Sequence, residues 1–120
     1  MEWRLDKDRP ICPQLREQIA AGIARGEFAA NERLFSVREV ALQAGVNPNT
    51  VQKAFSEMER DGLIFSRAGS GWYVSPDTSL AVRHVEELAR LRTKTYVTGM
   101  RALGKDRPEI IRMIEEVSDE

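Results

Sequence analysis

The chain has 120 residues, with 18 basic and 19 acidic side chains and a formal net charge of −1. Hydrophobic residues make up 42% and charged residues 31%, a globular balance that excludes a disordered or collagen-like chain. That length fits one compact domain, or a small domain with an appendage, and is too short for a multi-domain enzyme.

No apolar run is long enough to span a bilayer. The opening residues Met1 to Asp6 lack the apolar stretch of a signal peptide, so a cytoplasmic location is expected. The lone Cys12 can form no internal disulfide, and one histidine, His84, leaves no cluster for a metal. No Gly-rich phosphate loop or nucleophile–base pair is present, so no catalytic residue, metal or cofactor is expected. A near-neutral charge neither points to nucleic acid nor excludes it, because counterion release depends on the phosphates touched rather than on bulk charge.

Trp3 and Leu5 alternate with Glu2 and Arg4 and predict a short extended segment. Asp6 to Pro13 reads as a loop. From Pro13 onward Leu15, Ile19 and Ile23 fall four apart on one helical face, and Gly26 stops that helix, with Phe28 folding back onto it. Ser36-Val37-Arg38-Glu39 forms a capping box, with Ser36 as N-cap and Glu39 at N3, opening a short helix that ends at Gly45. Asn47 is the next N-cap and Pro48 fits N1. Val51, Ala54, Phe55 and Met58 then recur with helical spacing until Gly62. Two short helices joined by a tight Gly-containing turn make a helix-turn-helix.

Leu63 to Arg67 and Trp72 to Val74 read as strands around the turn Ala68-Gly69-Ser70-Gly71, a β-hairpin. A hairpin directly after a helix-turn-helix is a wing. A long amphipathic helix is expected from Thr78 to Leu103. Asp106 with Glu109 opens a last short helix that carries Ile110, Ile111, Met113, Ile114 and Val117. The fold class is therefore mostly α with one small β-hairpin. A winged helix-turn-helix domain is expected over 1–76 and a helical appendage over 77–120.

The inward face of the third helix is apolar, and its outward start is Asn49, Thr50, Gln52 and Lys53. In helix-turn-helix docking this start enters the major groove. A helix start also favours phosphate through its free N–H groups. Arg38 sits where the helix dipole disfavours a cation, which makes sense if DNA neutralises it; the competing reading is a surface pair with Glu39 or Glu32. Arg67, Gly69 and Ser70 form the wing tip, where glycine permits close approach to a groove. With the two N-caps, Ser36 and Asn47, these residues are the candidate DNA-binding set. Trp3 and Trp72 read as packing residues, Cys12 as structural and His84 as exposed. The tail is too apolar to lie in solvent. Val85, Leu88, Tyr96, Met100 and Leu103 of the long helix, with Ile110, Ile111, Met113 and Ile114 of the last, are the candidate dimerisation set.

Three ordered stretches resemble the GntR family of bacterial transcription regulators. Arg33-Leu34-Phe35-Ser36-Val37-Arg38-Glu39 is similar to the family's "RLPSVRE". Gly45 to Phe55 resembles "GVNPNTVQRAY", and Ser66 to Val74 resembles the wing ending "SRxGSGxFV". Pro10 to Leu15 looks like the opening "PIYEQI", so the resemblance runs from Pro10 to Val74. The sequence departs from the pattern in three places: Phe35 replaces a proline, Ala29-Ala30-Asn31-Glu32 replaces a "PGD" turn, and Cys12-Pro13 replaces an aromatic and a polar residue.

The short helical tail is similar to the YtrA-like branch. That resemblance implies a homodimer built from the two tail helices, acting as a repressor of transporter-type genes at a pseudo-palindromic DNA operator. An unidentified small-molecule effector is left open. A winged helix used as a protein-interaction module is the alternative of a different class, disfavoured by the polar helix start and the Gly-Ser wing. An enzyme fragment is a third, disfavoured because the chain ends early for a fused aminotransferase-like domain.

Overall fold

Helix α1 (Ile11–Ala24) opens the computed structural model, which describes residues 1–117. Its buried positions Leu15, Ile19 and Ile23 form the expected four-residue stripe. Gly22 lies on the same buried side, where a Cβ would come within 2.7 Å of the Phe28 ring. A side chain there would exclude Phe28, so the chain returning from α1 packs on bare backbone.

Helix α2 (Val37–Ala44) and helix α3 (Pro48–Arg60) follow, both packed against one another, with α3 also resting on α1. Gly45 caps α2 in the left-handed region at φ 68°, a conformation that costs a residue without Cβ little. Strands β1 (Ile64–Arg67) and β2 (Gly71–Val74) pair antiparallel with Ile64 opposite Val74 and Arg67 opposite Gly71. The core joins Leu15, Val40, Val51, Phe55, Met58, Ile64 and Val74, all fully buried. Trp72 packs edge-on against Phe55 at 5.4 Å between ring centres, binding the hairpin to α3. The chain is a winged helix-turn-helix: mostly helical, with one two-stranded hairpin.

The departures from the family pattern have physical substitutes. Asn31 takes a positive φ of 66°, which asparagine tolerates better than most residues, at the turn where the pattern has glycine. Phe35 packs edge-to-face on Phe28 at 6.1 Å, so ring contact fixes the approach to α2 that proline would have stiffened. The segment after Asn31 also joins the hairpin edge. Leu34 N donates to the Trp72 carbonyl, Val74 N donates to the Glu32 carbonyl, and Arg33 bridges Tyr73. This third edge was not expected from the sequence.

The first residues run beside α1 without forming a strand. Two glutamine side chains one helical turn apart do the pairing. Gln18 accepts from Arg4 N at 3.0 Å and donates to Arg4 O at 2.8 Å. Gln14, a buried polar residue, accepts from Asp6 N at 2.7 Å and donates to the carbonyls of Asp6, Arg9 and Pro10.

Helix α4 (Ser79–Ala102) begins within the first unit of the molecule, Met1–Val85. Leu80, Ala81 and Val85 pack on the winged-helix core, which extends the compact unit past the boundary expected at Pro76. Val85, expected at a dimer seam, is half-buried against the core. His84 is half-buried, not exposed.

The second unit starts at Glu86 and carries the rest of α4 and helix α5 (Arg107–Glu116). Asp106 and Glu109 form the second capping box, as expected. Ile110 is 3% exposed and lines a slot with Val97, Ile111 and Ile114, so it too is used inside the chain. Leu88 and Met100 are half-buried, whereas Tyr96, Leu103, Ile111, Met113 and Ile114 are exposed.

Candidate nucleic-acid interface

Both helix starts of the helix-turn-helix are built as the sequence indicates. Ser36 Oγ accepts from Glu39 N, and Glu39 Oε1 accepts from Ser36 N, each at 3.1 Å. Donation to the Glu39 carboxyl from the Ser36 backbone N–H, and then from its hydroxyl, holds that carboxyl below its ordinary range. Asn47 Oδ1 accepts from Asn49 N at 2.8 Å, two residues on. Ser36 and Asn47 are therefore occupied in setting the helix ends.

Arg38 stands in the first turn of α2, exposed, and forms no ion pair with Glu39 or Glu32. Asn49, Gln52 and Lys53 are exposed along the start of α3, and Thr50 is half-buried. Gln52 Nε2 donates to Ser56 Oγ at 3.2 Å, which leaves its carbonyl oxygen free.

A groove beside α3 is lined by Asn49, Thr50 and Lys53 on one side and Pro10 to Pro13 on the other. Its floor holds Arg16 and Glu57, whose Nε and Oε2 lie 3.0 Å apart, off the axis of a hydrogen bond. Cys12 Sγ donates to the same Glu57 oxygen at 3.5 Å. Burial and then the Glu57 charge push the Cys12 thiol up, away from the reactive thiolate.

At the wing, Gly69 and Gly71 take positive φ, and Ser70 N donates to the Arg67 carbonyl at 3.0 Å. Ser70 Oγ also hydrogen-bonds the Tyr73 hydroxyl. Phe65 and Tyr73 stack across the hairpin, and the Arg67 guanidinium lies over both rings, 4.8 Å from the centre of Tyr73. The cation is parked on a cation–π platform rather than loose in solvent.

Three residues that shape this surface escape sequence reasoning. Arg33 Nε would lie 3.5 Å from a Cβ placed on Gly71, so its guanidinium covers the glycine at the wing end. Lys7 Nζ donates to the carbonyls of Gly45 at 2.8 Å and Ala44 at 3.3 Å, clamping the turn of the helix-turn-helix from outside. The third, Gln14, anchors the segment that carries Lys7. Arg33 alone had a signal, its place in the quoted motif.

Among the described residues no group of His, Cys, Asp or Glu could hold a metal ion, and no helix is long and apolar enough to cross a membrane. The starts of α2 and α3 and the wing present Arg38, Asn49, Gln52, Lys53 and Arg67, that is amides, guanidinium and ammonium groups. Such groups hydrogen-bond base edges and phosphates.

Comparison with known proteins gives a consistent likeness. The model of "Bacterial regulatory proteins, gntR family" matches residues 13–74. The HTH-type transcriptional regulator YhcF of Bacillus subtilis is 32% identical over 99% of this chain and 98% of its own length. The HTH-type transcriptional repressor YtrA of the same organism is 30% identical, covering 91% of this chain and 85% of its own. A GntR family transcriptional regulator from Listeria monocytogenes superposes with a TM-score of 0.84 at 31% identity, covering 95% of this chain and 100% of that one. The DNA-binding domain of AraR, solved in complex with operator ORE1, matches 62% of this chain and 94% of its own with a TM-score of 0.54 at 26% identity.

Proposed function

This chain belongs to the GntR family of bacterial regulatory proteins, with YtrA-type members among its relatives, and we propose that it is a homodimeric repressor acting on a pseudo-palindromic operator. Membership makes it a DNA-binding regulator of transcription and not an enzyme. The observation that carries the finer reading is the unpaired Arg38 next to the exposed polar start of α3.

In this reading α3 enters the major groove by its N-terminal half. Asn49 and Gln52 read base edges through their amides. Lys53 and Arg33 meet phosphates, and Arg38 makes a bidentate contact at the start of α2. The wing carries Arg67, Gly69 and Ser70 to the adjoining minor groove, where arginine is favoured in a narrow channel. The winged unit binds DNA in the cytoplasm and the helical tail pairs two copies. Transporter-type genes as targets follow from the YtrA-like character, and a small-molecule effector would act on this same dimer.

The test is selection of bound fragments from the source genome, followed by gel shift on the recovered site. A two-fold-related pair of half-sites is expected, and Arg38→Ala should lose roughly 1–3 kcal/mol of binding per half-site with folding intact. Recovery of sites without half-site symmetry, or an Arg38→Ala protein that binds like wild type, would overturn the reading.

A further inference from the structure

Charge is uneven along the second unit, although α5 carries Arg107, Glu109 and Arg112 ahead of its acidic end. From Leu88 to Leu103 the sequence holds four cations, Arg90, Arg92, Lys94 and Arg101, and no carboxylate. From Met113 onward it holds four carboxylates, beginning with Glu115 and Glu116, and no cation. An ordinary solvated helix mixes signs, as Glu86 and Arg90 do at 3.4 Å and Lys105 and Glu109 at 3.6 Å.

The cations are also gathered in space. Arg90, Lys94, Arg101 and Arg107 line one open groove of 530 Å³ that runs along α4, with Glu86 its single carboxylate. Glu86 is already held by Arg90. Lys94, Arg101 and Arg107 have no ion-pair partner among the described residues, and neither have Glu115 and Glu116. The acids therefore do not neutralise the groove within one chain. Like charges gathered without a counter-charge repel one another, and exposed Ile111 and Ile114 beside them also want cover.

We infer that the groove on α4 is the seat of the acidic end of α5 from a second copy of this chain. The inference rests on the homodimer proposed above and names what orients it. Two-fold symmetry then makes the contact twice, each copy giving its acidic end and receiving the other's. Apolar side chains of the two helices supply area, while the opposite charges of groove and acidic end fix register and reject parallel or shifted pairings.

Charge exchange tests this on the full chain, with helicity by circular dichroism as the folding control. Lys94→Glu/Arg101→Glu gives an acidic groove and an acidic end. Glu115→Lys/Glu116→Lys/Asp119→Lys/Glu120→Lys gives a basic groove and a basic end. Each alone sets like charges face to face and should raise the dimer dissociation constant by about tenfold or more, as read by sedimentation velocity. An equimolar mixture should restore dimerisation as a heterodimer, because both grooves then meet opposite charge. Wild type should dissociate more readily as salt rises from about 0.05 to 0.5 M.

Reversed variants that dimerise like wild type, or a mixture that stays monomeric, would overturn the docking while leaving the homodimer standing. Loss of operator affinity with unchanged mass would assign the groove to DNA instead. A wild type that is monomeric at micromolar concentration would remove both this inference and the homodimer.

Discussion

Glu59 Oε2 accepts two hydrogen bonds from one residue of the wing, the Ser66 amide at 3.0 Å and the Ser66 hydroxyl at 2.7 Å. Glu59 is in the last turn of α3, where the helix dipole disfavours an acid. Two donors aimed at that carboxylate offset the cost. The wing is thereby tied to the helix proposed to read DNA.

Glu59→Ala should cost about 0.5–1.5 kcal/mol in stability and loosen the wing. Amide exchange at Ser66 should accelerate, and operator affinity should fall by severalfold. Glu59→Gln, which keeps an acceptor oxygen, should lie between. Unchanged exchange at Ser66 in Glu59→Ala would show that strand pairing alone holds the wing.

Lys53 and Asn49 separate affinity from specificity. Lys53→Ala should weaken binding to all operator variants and reduce the salt-dependence slope by about 0.9, one phosphate's worth. Asn49→Ala should alter the ranking of variants at one base pair per half-site. The check is binding titration at several salt concentrations against a panel of single-base operator changes. An unaltered slope would exclude the Lys53 phosphate contact, and uniform weakening by Asn49→Ala would exclude base reading.

Gly22→Ala runs against helix propensity. Alanine in a helix interior normally gains roughly 0.5–1 kcal/mol over glycine. Here its Cβ would sit 2.7 Å from Phe28, and a net loss of about 1–3 kcal/mol is expected from overpacking. Phe28→Leu in the same chain should recover part of it. Urea unfolding of the single and double variants measures both effects.

Glu39 sets an acid limb of stability. Its carboxyl is held below the ordinary 4.5 by the Ser36 bonds. A depressed native pKa means the contribution is complete above about pH 4.5 and is lost as pH falls through the native value. Glu39→Gln keeps the acceptor and should flatten that part of the profile. Thermal unfolding between about pH 3 and 6 compares the two, and superimposable profiles would remove Glu39 from the acid transition.

The helix starts were legible because their signals are local. Ser36 with Glu39, Asn47 with Pro48, and Asp106 with Glu109 each act within three residues. Lys7 and Gly45 meet across 38 positions, and nothing in either neighbourhood announces the other. Arg33 is plain in its motif, yet its place over Gly71 depends on an edge pairing that sequence alternation does not record. Val85 and Ile110 obey the apolar period, but periodicity says only that a side chain wants cover, not which surface supplies it. The chain itself buries Ile110 and half-buries Val85.

Gln14 and Gln18 grip carbonyls and amides, which every residue type but proline offers alike. The polar positions of the stretch they hold can therefore drift in side-chain identity while its path stays constant, whereas Trp3 and Leu5 remain tied to the core. The polar side chains are released for other duties, and Lys7 has taken one at the helix-turn-helix corner. A saturation scan would read as permissive polar positions facing two unforgiving amides, with Lys7, Trp3 and Leu5 the exceptions in the stretch.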